Sequence, residues 1–337
     1  MAKCFDSVQC GSRMIDEGSP GDGTIRPKVS IVTPTYNRAG LLRETIESIL
    51  NQTFQDFEYL IIDDGSTDGT EDLVRSYGGR IAYYRHANVG EARSTNRGWR
   101  LARGAYFAMV SSDDPMLPNW LEVAVPFLDA RPDVIVGYPD WLIIDEQSRT
   151  VSEITTFDYS FENMVAWLYT VPGPGSLIRR EALLDLQDLR NPAYRYISDL
   201  ESWLRLGLLG NFGRIPLQLA TWRRHPTSIT VAERSIARAR EMIRLAKSYF
   251  RRGDLPAHIR VHRRAALSRA YWIASWVVRD THPFWSALYL RKSYRLAPEE
   301  PANLPGVLRR APCDPDGVRK AARGALRKLV LNDRTVV

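Results

Sequence analysis

Ala105-Tyr-Phe-Ala-Met-Val-Ser-Ser-Asp-Asp-Pro115 decides the reading of this chain. Its first six residues are nearly all apolar, and they run straight into two adjacent carboxylates and a proline. A run so short, bounded by Gly104 and Pro115, is the pattern of a buried central strand rather than a helix. In an open α/β sheet, ligands gather outside the carboxyl ends of the strands, which is where Asp113 and Asp114 would stand. Neighbouring carboxylates repel, and burying them unpartnered costs roughly several kcal/mol. A divalent metal, Mg²⁺ or Mn²⁺, removes that cost and commonly bridges to a substrate phosphate. An Asp-Asp-Pro turn that merely ends a strand is the competing reading, and this stretch alone does not separate the two.

An earlier strand ends the same way. Phe57-Glu-Tyr-Leu-Ile-Ile62 closes in Asp63-Asp64-Gly65-Ser66, so two carboxylate pairs meet one edge of one sheet. Before it, Val29-Ser-Ile-Val-Thr33 is a β-branched strand closed by Pro34-Thr-Tyr-Asn-Arg38. Leu41, Leu42, Thr45, Ile46, Ile49 and Leu50 follow at helical spacing. A second helix is expected over roughly 68–77, a third strand at Arg80-Ile-Ala-Tyr-Tyr84, and a third helix over about 91–103. This alternation predicts an α/β fold, a doubly wound and mostly parallel sheet with right-handed crossovers.

Neither GxGxxG nor GxxxxGK[ST] occurs at that edge, so no dinucleotide fingerprint or P-loop explains it. The residues present suit a nucleotide held differently. Tyr36 offers a ring face to a base, and Asp64 an acceptor for a base N–H. Asp113 and Asp114 suit ribose and metal, and Arg38 and Arg93 would neutralise phosphate charge. Tyr36 packed on the sheet edge and Arg93 on a solvated helix face are the plain alternatives.

With 337 residues, 44% hydrophobic and 25% charged, the chain has the composition of a soluble globular protein with room for one large domain or two. Apolar stretches fall short of the ~20 residues of a membrane span, and the first residues lack the apolar core of a signal peptide. Cys4, Cys10 and Cys313 form no CxxC pair, which fits a reduced, cytoplasmic protein. Charge is unevenly spread. Residues 231–337 carry 23 Lys and Arg against 9 Asp and Glu, whereas residues 1–230 carry 23 against 30. A boundary near residue 230 follows.

The segment from Pro27 to about Ser228 resembles the family 2 inverting glycosyltransferases, of GT-A fold. The resemblance rests on Val29-Ser-Ile-Val-Thr-Pro-Thr-Tyr-Asn-Arg38, Ile62-Asp-Asp-Gly-Ser66 and Asn88-Val-Gly-Glu-Ala-Arg93 with Asn96 and Gly98. It continues in Ser112-Asp-Asp-Pro115, Ser198-Asp-Leu-Glu-Ser-Trp-Leu-Arg205 and Arg223-Arg-His-Pro226. Each is weak alone; in order they cover about three-fifths of the chain. The resemblance implies that Pro34, Thr35, Tyr36, Arg38 and Asp64 bind the nucleotide of a sugar donor. It sets Arg93 near the diphosphate, and makes Asp113 and Asp114 the ribose and metal site. It also places His225 near the diphosphate or metal. Many relatives carry a further Asp where this chain has Ser111; a subset shares the polar-Asp-Asp form, and which of Asp113 and Asp114 ligates metal stays open.

Asp199 resembles the catalytic base of that family. An acceptor hydroxyl is a poor nucleophile, so a carboxylate must take its proton as it attacks the anomeric carbon. Ile197, Leu200 and Trp203 or Leu204 space as a helix, so Ser198 or Asp199 capping that helix is the alternative. Glu201 is the second candidate base. Pro172-Gly-Pro-Gly-Ser176 lacks the lysine of a P-loop and is read as a loop shaping the acceptor side.

The expected organisation is a tail over 1–27, a catalytic domain over 28–228 and basic helices over 229–337. Those helices are expected around 236–250, 257–279, 283–296 and 316–331. His258 and His262 have metal-ligand spacing but no supporting partner, which favours a solvated face. The implied activity is a metal-assisted, inverting hexosyl transfer. The donor is a nucleotide sugar, with uridine diphosphate the expected carrier, and the acceptor is a glycan or lipid-linked hydroxyl. The setting is bacterial surface polysaccharide synthesis. The basic helices are expected either to meet an anionic membrane face from the cytoplasm or to form a helical cap or homodimer surface whose arginines are merely solvated, with no nucleic acid as partner. A catalytically degenerate relative serving as scaffold is the alternative class.

Overall fold

The computed structural model describes residues 26–186, 188–225 and 234–297. An eight-stranded sheet runs in the order 82–85, 57–63, 29–35, 106–109, 177–179, 134–144 and 150–154, with 211–223 against 134–144. Its first half is β1 (Val29–Thr35), β2 (Phe57–Asp63), β3 (Ala82–Arg85) and β4 (Tyr106–Met109), all mutually parallel. Between them lie α1 (Ala39–Leu50), α2 (Thr70–Arg75) and α3 (Glu91–Leu101). Every residue of β1 is buried, as its unbroken apolar and β-branched run requires of a strand covered on both faces. Gly98 lets α3 press onto that sheet, because a Cβ there would stand 2.3 Å from Cγ1 of Val32.

Two expectations shift slightly. The opening stretch is strand only as far as Met109, with Val110 still donating to the Val32 carbonyl; Ser111–Asp114 then turns, Asp114 N–H reaching the Ser111 carbonyl at 3.3 Å. β3 starts at Ala82 rather than residue 80 because Gly78–Arg80 forms a 3₁₀ turn.

The second half is mixed. It comprises β5 (Val134–Ile144), β6 (Thr150–Ile154), β7 (Leu177–Arg179) and β8 (Asn211–Arg223). β7 runs antiparallel to β4 and β5, β6 antiparallel to β5, and β8 parallel to β5. Helices α4 (Trp120–Asp129), α5 (Phe161–Trp167), α6 (Arg180–Leu184) and α7 (Ser198–Leu206) connect these strands.

Beyond residue 234 come α8 (Ile236–Tyr249), α9 (Ala257–Arg260), α10 (Arg263–Val277) and α11 (Pro283–Leu296). The helix expected over 257–279 is thus two, and the one expected over 316–331 lies outside the described residues. These helices are no detached appendix: Met242, Leu245, Ala246 and Ala270 share one buried cluster with Val32, Leu60 and Phe107 of the sheet. No helix among the described residues is long and apolar enough to cross a membrane.

Candidate active site

The carboxyl ends of β1, β2 and β4 converge, and hydrogen bonds tie their loops together. Asp64 N–H donates to the Thr35 carbonyl, Asn37 N–H to Ser66 Oγ, and Thr67 N–H to Asn37 Oδ1. Pro34 and Thr35 end β1, and Thr35 Oγ1 is buried without a hydrogen-bond partner among the described residues. Tyr36 leaves the sheet 47% exposed, its ring available to a flat ligand rather than packed on the sheet edge. The two oxygens of Asp64 accept the Val89 and Gly90 amides at 2.7 and 2.8 Å. Gly90 has φ +94°, a conformation that favours glycine. Asp64 therefore fixes the loop that starts α3, keeping lone pairs for a further donor. Arg93, on the first turn of that helix, is exposed and donates to the Val89 carbonyl.

Asp113, Arg38 and His225 meet although up to 187 residues separate them. His225 Nε2 lies 2.8 Å from Asp113 Oδ2 and 3.3 Å from Arg38 Nη1, and Arg38 Nη1 is 3.8 Å from Asp113 Oδ2. Asp114 points inward, where Oδ1 accepts the Arg223 N–H at 2.7 Å. The buried Arg223 guanidinium reaches the carbonyls of Asp113 and Asp145, Ser148 Oγ and Glu44, clamping the turn. Burial and the neighbouring Asp113 push the Asp114 carboxyl up to about 8. Such a pair fits a hard divalent cation, which would relieve both burial and repulsion. Among the described residues no group of three or more His, Cys, Asp or Glu could hold a metal. Remaining positions would thus fall to water and substrate oxygen.

Asp114 and Asp199 line one cleft of about 390 Å³. Asp199 sits on the first turn of α7, whose N-cap is Ile197 with no side-chain cap, so neither Ser198 nor Asp199 serves as one. Its Oδ1 accepts the Leu200 N–H. Glu201 is engaged elsewhere, in a two-point ion pair with Arg205. Pro172–Ser176 lines the cleft too, and Gly173 admits the Trp141 ring where a Cβ would lie 2.6 Å from it.

Three residues that line the cleft, and one carboxylate that feels the charge of Arg190, went unassigned in the sequence. Trp141 and Trp222 come from the paired strands β5 and β8, and Arg190 from the segment before α7. Glu91, within a quoted motif but given no role, is solvent-accessible yet closely surrounded. Desolvation raises its carboxyl pKa, Arg190 opposes the rise, and Asp199 and Asp113 add to it. Only the Glu91 motif carried a sequence signal.

The model of glycosyl transferase family 2 matches residues 30–186. The chain is 30% identical over 191 residues to TuaG of Bacillus subtilis, a glycosyltransferase named for teichuronic acid biosynthesis, covering 54% of this chain and 72% of that one. It is 32% identical over 195 residues to an uncharacterized glycosyltransferase of Rickettsia typhi, covering 54% of this chain and 59% of that one. The chain thus spans under two-thirds of that relative's length. The crystal structure of S. aureus TarS 1–349 in complex with UDP-GlcNAc superposes with TM-score 0.62 at 18% identity, over 89% of this chain and 92% of that one. The fold is GT-A-like, and the chain belongs to glycosyltransferase family 2.

Proposed function

We propose that this protein is an inverting glycosyltransferase that moves a hexosyl group from a nucleotide diphosphate sugar to an acceptor hydroxyl. The observation that carries this reading is the single cleft holding both Asp114 and Asp199. Asp199 takes the acceptor proton as the acceptor oxygen forms its bond to the anomeric carbon. The bond from that carbon to the diphosphate breaks on the opposite face, and the diphosphate departs with the electron pair. One displacement inverts the centre, and no enzyme nucleophile takes part. Arg38 and Arg93 offer N–H donors to the departing diphosphate. Asp113 and Asp114 would hold a divalent cation, which when bound supplies Lewis-acid charge neutralisation there.

Uridine is the base we expect, a reading supported by the UDP-GlcNAc bound to TarS. Surface polysaccharide synthesis is the setting we expect, supported by TuaG. Thermal-shift titration with UDP, GDP, dTDP and CDP, with and without Mn²⁺, tests the donor site. One nucleotide should raise Tm in a metal-dependent way by binding the folded state alone. Asp113→Ala/Asp114→Ala should abolish that rise. Asp199→Asn should retain it while transfer falls by about 10²–10⁴. No rise with any of the four would sink the donor reading and favour a scaffold that Ser111 already hints at.

A further inference from the structure

Among the described residues two arginines are buried, Arg190 and Arg223, and they differ in how their guanidinium groups are met. Arg190 is 8% exposed, and its main chain is fixed from both sides by one side chain: its N–H donates to Asn96 Oδ1 at 2.8 Å and its carbonyl accepts from Asn96 Nδ2 at 2.7 Å. Its guanidinium is not so fixed. Among the described residues, Nε and Nη1 are buried with no hydrogen-bond partner, and Nη2 meets only the Met109 sulfur at 3.4 Å. Glu91 is close enough for its charge to be felt but makes no hydrogen bond to it. By contrast Arg205 and Arg223 each find a carboxylate and at least two carbonyls. A guanidinium stays protonated, so burying one unpaired is a standing cost to the fold. Arg190 lines the cleft together with Ser111, Asp114, Trp141 and Asp199.

In the donor reading above, on which this inference rests, Asp114 marks the diphosphate end of the cleft and Asp199 the attack end. The transferred sugar lies between them. A guanidinium fork matches a carboxylate or a phosphate in shape and charge, so the partner it lacks is an anionic oxygen group. We propose that Arg190 is the floor of a subsite for a carboxylate on the transferred sugar, so that the donor class is a nucleotide-linked uronic acid. The donor's own diphosphate carries anionic oxygens as well, and the test must separate the two.

Calorimetric titration of wild type and Arg190→Met with UDP, UDP-glucose and UDP-glucuronate, in Mn²⁺, does so. GDP, GDP-mannose and GDP-mannuronate are run beside them to cover the other base. Wild type should prefer the uronate over its neutral counterpart by about tenfold or more, the scale of one charge-assisted contact. Arg190→Met should erase that preference and leave the bare nucleotide within about twofold. It should also hold or raise the ligand-free Tm, since the guanidinium gives up only a weak contact to the Met109 sulfur and the charge it sets against Glu91, while the Asn96 bonds to the main chain persist. Equal losses for nucleotide and both sugars would assign Arg190 to the diphosphate and overturn the proposal. A lack of uronate preference in wild type would overturn it too, as would a lower Tm with unchanged ligand preference. If neither set binds wild type, the donor reading itself has failed; nucleotide binding without carboxylate preference removes the subsite alone.

Discussion

Asp113 and Asp114 are neighbours in the chain with different surroundings. Asp113 keeps 19% of its side chain exposed and meets His225 and Arg38, whereas Asp114 is 6% exposed beneath the Arg223 amide. Desolvation and the Asp113 charge push the Asp114 carboxyl up to about 8, far above its value in an unfolded chain. Between the two values the native state holds a proton that the unfolded chain has released. Native protein then binds more protons, so stability falls as pH rises through that window. In metal-free buffer, Tm should therefore decline from pH 5 toward pH 8. Asp114→Asn should flatten the slope and raise Tm at pH 8. Calorimetric scans across the range check this, and a wild-type Tm that climbs from pH 5 to pH 8 would contradict it.

Helix α7 carries Asp199, and α8 holds the chain just ahead of it. The two oxygens of Glu241 accept the amides of Arg195 and Tyr196 at 2.8 Å each, Tyr194 Oη meets Ser248 Oγ, and Arg244 reaches the Ala193 carbonyl. Glu241→Ala would strand two amides and should cost about 1–3 kcal/mol of stability. Because Glu241 touches no nucleotide residue, kcat should fall while nucleotide affinity holds. Affinity lost in step with kcat would show that α8 supports the whole site rather than this wall. None of this was legible beforehand. The early strands were, because β1, β2 and β4 are apolar runs that each end in chemistry, and so the converging Asp pairs and Arg38 could be placed. Beyond Asp114 the sequence reading named no strand. Trp141 and Trp222 reach one cleft only through the pairing of β5 with β8, about 80 residues apart, and nothing local encodes that. Arg190 stands out only once its missing partners are counted.

Taken as a whole, the molecule carries its net positive charge over residues 231–337, and part of it is paired internally. Arg234 pairs with Asp280 and Arg252 with Asp254, while the inner face of α8 docks on the catalytic core. Three exposed basic residues lie together on α11. Phe284 there is 63% exposed, and Arg291, Lys292 and Arg295 are exposed as well. Phe284, Arg291 and Arg295 fall on one helical stripe at seven- and four-residue spacing, an aromatic at one end and cations at the other. Such a stripe suits the interface of an anionic bilayer, where the ring enters the headgroup region and each cation contributes about 1 kcal/mol. We therefore expect flotation with vesicles containing phosphatidylglycerol in about 50 mM salt, weakening as added salt shortens the screening length. Vesicles of neutral lipid should leave the protein behind. Arg291→Glu should reduce flotation without lowering Tm, since Arg291 is exposed and, unlike Lys292 over the Tyr271 ring, makes no ion pair or ring contact among the described residues. Failure to float at low salt would leave α11 as a solvated cap on α10, and delivery of a lipid-linked acceptor would then need another surface.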